Sequence, residues 1–462
     1  MSNVLTVSLS SKRFGTSAYG VVKLFATVAS LGLLASNCAS HTELRAKFMH
    51  EFRIGSYEVA RDVLVDTTGK KDDNFLVDIM DLGMTLHRLG RYEESNRYLE
   101  IADDRIKEHF TTEISEVLQA IAWNESAAPY KGEEYERNLV DIIQAFNYLC
   151  MGNLQGALIE ARQVSHKLDH YTSLLEAHEI ESAYKSDPFA SYLAALIYEA
   201  GGSYDDAYLS YRKAHSDYSN LGEAYNVSMP EPIADDLVRT AQLSGRYSEA
   251  DEWRHHSSIG NERERVQGHG EIVVIIGIGQ IAHKVSRKWE VKDGSGDEVV
   301  VTYPEYQKTP SKVMDARVAV DGHGEVNTET LHELSTLAME VMKERNEAVK
   351  DRAVARAIAR YALKKTGRIV TGSNSTVAKA AGIATWISIN IAEQKETADT
   401  RSWLTLPEKY LVARVWVRPG SVNVIIEFQT NGYVSYQREV RQVDVEPGSK
   451  AFIVVHSHEP GN

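Results

Sequence analysis

The sequence predicts an α+β protein, an N-terminal all-α array of helical repeats followed by a mixed helix and antiparallel-sheet domain with a sandwich-like core. Three observations predict it. A Gly-x-(aromatic or Leu)-x-x-small pattern recurs five times before residue 260, each time between apolar patterns of helical period. After Gly268 the apolar period changes to two. From Lys409 to His456 four strand-like runs are divided by turn residues. A chain of 462 residues also exceeds a single core, which stops growing near about 250 to 300 residues. We divide it into a leader at 1–37, a repeat domain at 38–267 and a C-terminal α+β domain at 268–462.

The leader opens the case. Leu24 to Ala35 is an uncharged apolar run preceded by Lys12, Arg13 and Lys23, the order of charges and apolar residues found in a secretory signal. Twelve residues fall short of the roughly 20 that span a bilayer. The run ends in Leu34-Ala35-Ser36-Asn37-Cys38, which resembles a bacterial lipobox, with Asn37 where that pattern carries Gly or Ala. The resemblance implies a lipid anchor at Cys38. Ala39 and Ser40 follow without an acidic residue, which by resemblance to Gram-negative sorting rules implies the outer membrane, facing the periplasm. No later stretch reaches about 18 uncharged apolar residues, so we expect the mature chain to be soluble apart from its anchor.

The repeats come next. The five motifs are Gly55-x-Tyr57 with Ala60, Gly90-x-Tyr92 with Ser95, Gly152-x-Leu154 with Ala157, Gly202-x-Tyr204 with Ala207, and Gly245-x-Tyr247 with Ala250. Glycine permits the tight turn between two helices. The aromatic or Leu is expected to pack that turn, and the small residue lets the second helix approach the first. The pattern resembles the tetratricopeptide repeat in register and residue type. Intervals between the glycines of 35, 62, 50 and 43 residues depart from that family's usual period of about 34. They predict lengthened helices or inserted loops. Asp187-Pro188 and Pro230-Glu-Pro232 supply helix-start signals before the last two pairs. Stacked helix pairs leave a concave face lined by the first helix of each, the expected seat of a protein partner.

Two blocks carry a further resemblance. Tyr130-Lys-Gly-Glu-Glu-Tyr135-Glu-Arg-Asn-Leu runs into Gln144-Ala-Phe-Asn-Tyr-Leu149 and Gly152-Asn-Leu-Gln-Gly-Ala157, while Ala398-Asp-Thr-Arg401-Ser-Trp403-Leu-Thr-Leu-Pro407 stands far downstream. Both resemble a poorly characterised family of tetratricopeptide-containing bacterial lipoproteins. That resemblance implies a link to cell-wall synthesis or its activators. On chemistry alone, Asp399, Arg401 and Trp403 read as a brace at the start of a final sheet.

In the C-terminal third, Glu271 to Gly279 reads as a strand. Gly277-Ile-Gly279-Gln-Ile-Ala282 imitates a dinucleotide fingerprint, but period-two sequence from His283 replaces the helix that would hold a pyrophosphate. Further strands are expected at Glu298 to Thr302 and Ala316 to Val320. Thr328 to Lys365 is expected to be helical, with Leu331, Leu334, Leu337, Ala338 and Val341 on one stripe and Arg352, Arg356 and Arg360 on a solvated face. An Ala-rich helix from Val377 to Ala392 contains Trp386. Strands at Lys409 to Arg418, Ser421 to Phe428, Tyr433 to Val440 and Ala451 to His456, with turns at Pro419-Gly420 and Asn431-Gly432, predict one antiparallel sheet that packs as a sandwich with the strand near residue 275.

Composition narrows the function. A net charge of −14, from 51 basic and 65 acidic residues, repels phosphate backbones, so nucleic acid is not an expected partner. The two cysteines, Cys38 and Cys150, exclude a disulfide framework and a thiolate-rich zinc site. Cys150 reads as a small buried hydrophobe. His166 and His170 lie one helical turn apart without a recognisable third metal ligand, and His456 with His458 likewise; all four read as surface histidines. No P-loop, Gly-x-Ser-x-Gly or His-Glu-x-x-His occurs. We therefore expect a non-enzymatic envelope scaffold without cofactor or metal, binding other envelope proteins through its repeats. The alternative is a cell-wall or surface-polysaccharide binding protein or hydrolase in which Trp386, Trp403 and Trp416 stack on sugars.

Overall fold

The computed structural model describes residues 41–68, 72–116, 129–177, 185–225, 227–256, 268–292, 298–326, 328–343, 354, 398–430 and 434–459. Cys38, Arg352, Arg356, Arg360 and the Trp386 helix lie outside the described residues.

Ten of the described helices form five consecutive pairs: α1 (41–53) with α2 (Tyr57–Thr68), α3 (Phe75–Arg88) with α4 (Tyr92–Glu116), α5 (Glu134–Cys150) with α6 (Leu154–Ala177), α7 (Pro188–Ala200) with α8 (Tyr204–Tyr225), and α9 (Pro232–Leu243) with α10 (Tyr247–Trp253). At each turn the glycine is left-handed, with φ of 82° at Gly55, 73° at Gly90, 72° at Gly152, 76° at Gly202 and 79° at Gly245. The next residue's N–H then donates back to a carbonyl of the helix just ended, as from Arg91 to Leu86 at 2.9 Å and Arg246 to Ala241 at 2.7 Å. A side chain would strain that backbone. Ala60, Ser95, Ala157, Ala207 and Ala250 are all wholly buried where the second helix crosses the first. The irregular intervals have a plain source in the long second helices, 25 residues in α4, 24 in α6 and 22 in α8. Asp187 caps α7, its carboxylate accepting the Ala190 N–H at 3.1 Å with Pro188 in the first turn.

The C-terminal part contains strands β1 (Gly270–Ile278), β2 (His283–Lys292), β3 (Glu298–Gln307), β4 (Val313–Val320), β5 (Gly324–Val326), β6 (Glu329–His332), β7 (Lys409–Val417), β8 (Gly420–Thr430), β9 (Val434–Val445) and β10 (Lys450–His456), with a further helix α11 (334–343). One sheet has the order β10-β1-β7-β6, a second β5-β4-β8-β9, and β2 pairs with β3 alone. The expected sandwich with the strand near residue 275 is present, but three expectations fail. Pro419-Gly420 does not make a hairpin: the chain crosses there from one sheet to the other. β10 runs parallel to β1, with Ile275 opposite Val454. Thr328 to His332 extends as an edge strand instead of beginning a helix, because β7 offers it a partner, Glu329 lying opposite Val412.

The layers explain β1. All nine of its residues are buried. Val273 and Ile275 join the core shared with the helices, whereas Ile272, Val274, Ile276 and Ile278 join the core between the sheets. A strand covered on both faces reads as a continuous apolar run. The molecule thus has three layers, helical array, first sheet and second sheet. Among the described residues no helix is long and apolar enough to cross a membrane.

Candidate functional site on the inner face of the array

The first helix of a pair is the expected partner-binding element, so its surroundings decide the function. In α3, α5 and α7 burial is nearly continuous around the helix. What covers them is the chain's own C-terminal part. Every first helix touches it: the Arg53 carbonyl at the end of α1 accepts the Glu459 N–H at 2.7 Å, Asp81 of α3 meets Thr405, Phe146 of α5 and Phe189 of α7 meet Tyr410, and Asp236 of α9 meets Arg414.

Near the first pairs, the two blocks singled out in the sequence come together. Glu136 accepts the Glu133 N–H at 2.9 Å, completing a capping box, and also accepts the Trp403 N–H at 2.7 Å and the Tyr130 hydroxyl. Arg401 pairs with Asp399 at 2.7 Å, donates to the Asp73 carbonyl at 2.8 Å and lies 5.4 Å from the centre of the Tyr130 ring. The brace is therefore real, but it ties the sheet to the helices. Arg45 bridges Asp78 and Asp81, each at 2.7 Å, and Thr405 donates its hydroxyl to Asp81 at 2.9 Å. Burial pushes the Asp81 carboxyl up to about 6 against the pull of Arg45 and Thr405.

In the middle lies a row of rings. Register aligns His332, Tyr410, Gly277 and His456 across the four strands of the first sheet. A Cβ on Gly277 would stand 2.3 Å from the His456 ring, so the glycine is the space that ring occupies. Tyr410 stacks on Phe189 at 5.5 Å, and His456 meets His87 edge-on at 5.0 Å. The surface reading of His456 is thus wrong; it is 6% exposed because α3 covers it. His458, beyond the strand, packs against Gly55. Asn147 donates to Ser95 at 2.9 Å and Asn96 at 2.7 Å, leaving its oxygen to accept from His87 Nδ1 at 2.7 Å. Burial holds His87 down at about 4, and also lowers His332 and His456. All three are neutral near pH 7.

At the far end six buried charges alternate across the layers. Arg239 pairs with Glu199 at 2.7 Å and with Asp236; Arg414 pairs with Asp236 at 2.5 Å and Glu271 at 2.6 Å; Lys450 reaches Glu199 at 3.2 Å and Glu271. Tyr192 donates to Asp236 at 3.0 Å and Tyr211 to Glu199 at 2.9 Å. Burial alone would raise the carboxyls of Glu199 and Asp236, but the facing cations hold both below the usual range. Three anions balance three cations. An unbalanced charge at such depth would cost several kcal/mol, so the network specifies docking more than it adds stability.

The turn residues behave as linkers between pairs. Tyr57 packs on Phe52 of its own pair and under Arg88 of the next, whose guanidinium lies 4.7 Å from its ring. Tyr92 packs on His87 and hydrogen-bonds the Cys150 thiol at the end of α5; Cys150 is half-buried, not sealed. Leu154 packs against the helical core and Tyr204 is half-buried. Tyr247 departs from the expectation of turn packing, being 62% exposed, because no further pair among the described residues follows to cover it. His166 and His170 lie exposed on α6 beside Lys167, which bridges Asp141 of α5 at 2.7 Å and Asp103 of α4. Trp403 is wholly buried and offers no face to a sugar, while Trp416 is half-buried with Arg239 at 5.5 Å and Lys450 at 5.1 Å from its ring centre.

No protein-family model matches the chain, and no curated protein matches it. Solved structures do. A Podosopora anserina protein described as a kinesin light chain with nearly identical TPR-like repeats is 16% identical, covering 46% of this chain and 92% of its own, at a TM-score of 0.30. A point variant of it gives 17%, 46%, 91% and 0.30, and a point mutant of MamA 15%, 48%, 96% and 0.27. The similarity is to repeat proteins and spans less than half of this chain. The five helix pairs described above make this half of the molecule a tetratricopeptide-like array.

Proposed function

We propose that this protein is a non-catalytic interaction scaffold of a bacterial envelope, tethered by a lipid at Cys38 to the outer membrane on its periplasmic side and binding other envelope proteins. One observation carries the reading and alters its geometry: the first helices α3, α5 and α7 are covered by the chain's own C-terminal part, so the partner surface is the outer face made by the second helices. Val59 on α2, Ile101 on α4, Ile159 on α6 and Leu209 on α8 are 47%, 42%, 50% and 38% exposed, one aliphatic side chain on each of four successive second helices. Buried apolar contacts at such a face drive association. The cell-wall link implied by the lipoprotein resemblance belongs to the same proposal.

Two measurements test it. Labelled fatty acid should enter the wild type and not Cys38→Ala; equal labelling, or none in either, removes the anchor. Cross-linking in intact envelopes should yield a partner adduct that the pair Ile159→Glu with Leu209→Glu abolishes while the melting temperature stays within a few degrees. An adduct unchanged by that pair refutes the outer-face surface.

A further inference from the structure

A cleft of about 650 Å³ opens where the end of the array meets the second sheet. Its floor comes from β4, β6 and β8 and one wall from the segment between α8 and α9, including Met229 and Glu231. The Glu231 N–H donates to Glu329 Oε2 at 2.8 Å, tying the two halves together at the mouth. The lining is strongly one-signed: Glu231, Asp315, Glu325, Glu329 and Glu333 face a single guanidinium, Arg317, which Glu325 holds at 3.0 Å. A second feature is independent of the acids. Gln429 also lines the cleft, is 6% exposed, and its side-chain amide has no hydrogen-bond partner among the described residues. The residue is otherwise buried, so its amide opens on the cleft alone and is placed to bond a ligand there.

We propose that this cleft binds a cationic peptide segment, with lysine or arginine side chains set against Glu329 and Glu333 and the peptide backbone bonded to Gln429. The carboxylates are spread along the walls, and no three acidic, histidine or cysteine side chains among the described residues converge as a metal-holding group. An extended ligand satisfies them where a single ion does not. Met229 and Val326 supply apolar wall for the aliphatic stems of such side chains. Glu329 is half-buried, and burial pushes its carboxyl up; a cation beside it would offset that cost of burial. The proposal stands apart from the anchor and the outer-face surface, and survives if either fails.

The test uses the full chain and a fluorescein-labelled hexalysine peptide, read by anisotropy at low salt. Glu329→Gln with Glu333→Gln should weaken binding at least tenfold, and Gln429→Leu should weaken it severalfold. Glu58→Gln with Asp62→Asn removes the same charge from exposed positions on α2 and should change it less than twofold. Circular dichroism melting checks that each variant folds. Equal weakening by both charge pairs, which would reduce the effect to net charge, overturns the proposal. So does an absence of binding by the wild type, or saturable calcium binding that displaces the peptide and is lost in Glu329→Gln.

Discussion

The first and second helices of the repeat differ more than their shared architecture suggests. In α7 every residue from Pro188 to Glu199 is buried, whereas in α8 the buried positions Ala207, Tyr208, Tyr211, Ala214, Asp217, Tyr218, Leu221 and Tyr225 mark one stripe and the positions between them are at least partly exposed. The difference teaches that this array is an inner layer. The first helices α3, α5 and α7 lie between second helices and the C-terminal part, and their buried polar side chains take partners from either layer, as Asp141 does from Lys167 of α6 and Asp81 from Thr405. Second helices obey the ordinary amphipathic rule.

Breaking the inner layer should therefore be far more damaging than altering the outer one. Asp236→Ala leaves Arg414 and Arg239 buried without their shared carboxylate and should destabilise by about 3 to 5 kcal/mol in urea unfolding. Gly83→Ala should cost about 1 to 3 kcal/mol, since its Cβ would stand 2.6 Å from Leu99 between α3 and α4. Acid sharpens the contrast. An unfolded imidazole titrates near about 6.5, and folded His87 near about 4, so the folded state binds fewer protons and stability is lost as pH falls through that interval. Between pH 7 and pH 5 His87 should contribute about 2 kcal/mol to that loss. A smaller drop in melting temperature over that interval in His87→Gln than in wild type is the expected result. On the outer layer, Leu209→Ala should stay within about 0.5 kcal/mol of wild type.

Much of this was legible from local chemistry. Five glycines announced their turns because left-handed backbone has few other tenants, and Asp187-Pro188 announced the start of α7. The layering was not read, although α7 carried a signal: Phe189, Leu193, Ala194, Leu196 and Ile197 leave no polar face, and a helix apolar all round is buried all round. Gly277 was a second signal, since a strand glycine marks close approach, here by His456. Other features had no local trace. The parallel pairing of β10 with β1 joins segments about 180 positions apart, and the six-charge network collects residues from two helices of the array and three strands of the first sheet. Arg317 and Glu333 likewise become neighbours of one cleft only through the fold.

The central claim is that the C-terminal sheet docks on the first helices, and a double-mutant cycle across that boundary tests it most directly. Asp236→Asn and Arg414→Met, singly and together, are compared by equilibrium unfolding of the full chain. A coupling free energy of about 1.5 kcal/mol or more is the predicted result, since the two groups lie 2.5 Å apart in a buried site. Additivity within about 0.3 kcal/mol would contradict it and leave the inner face of the array open.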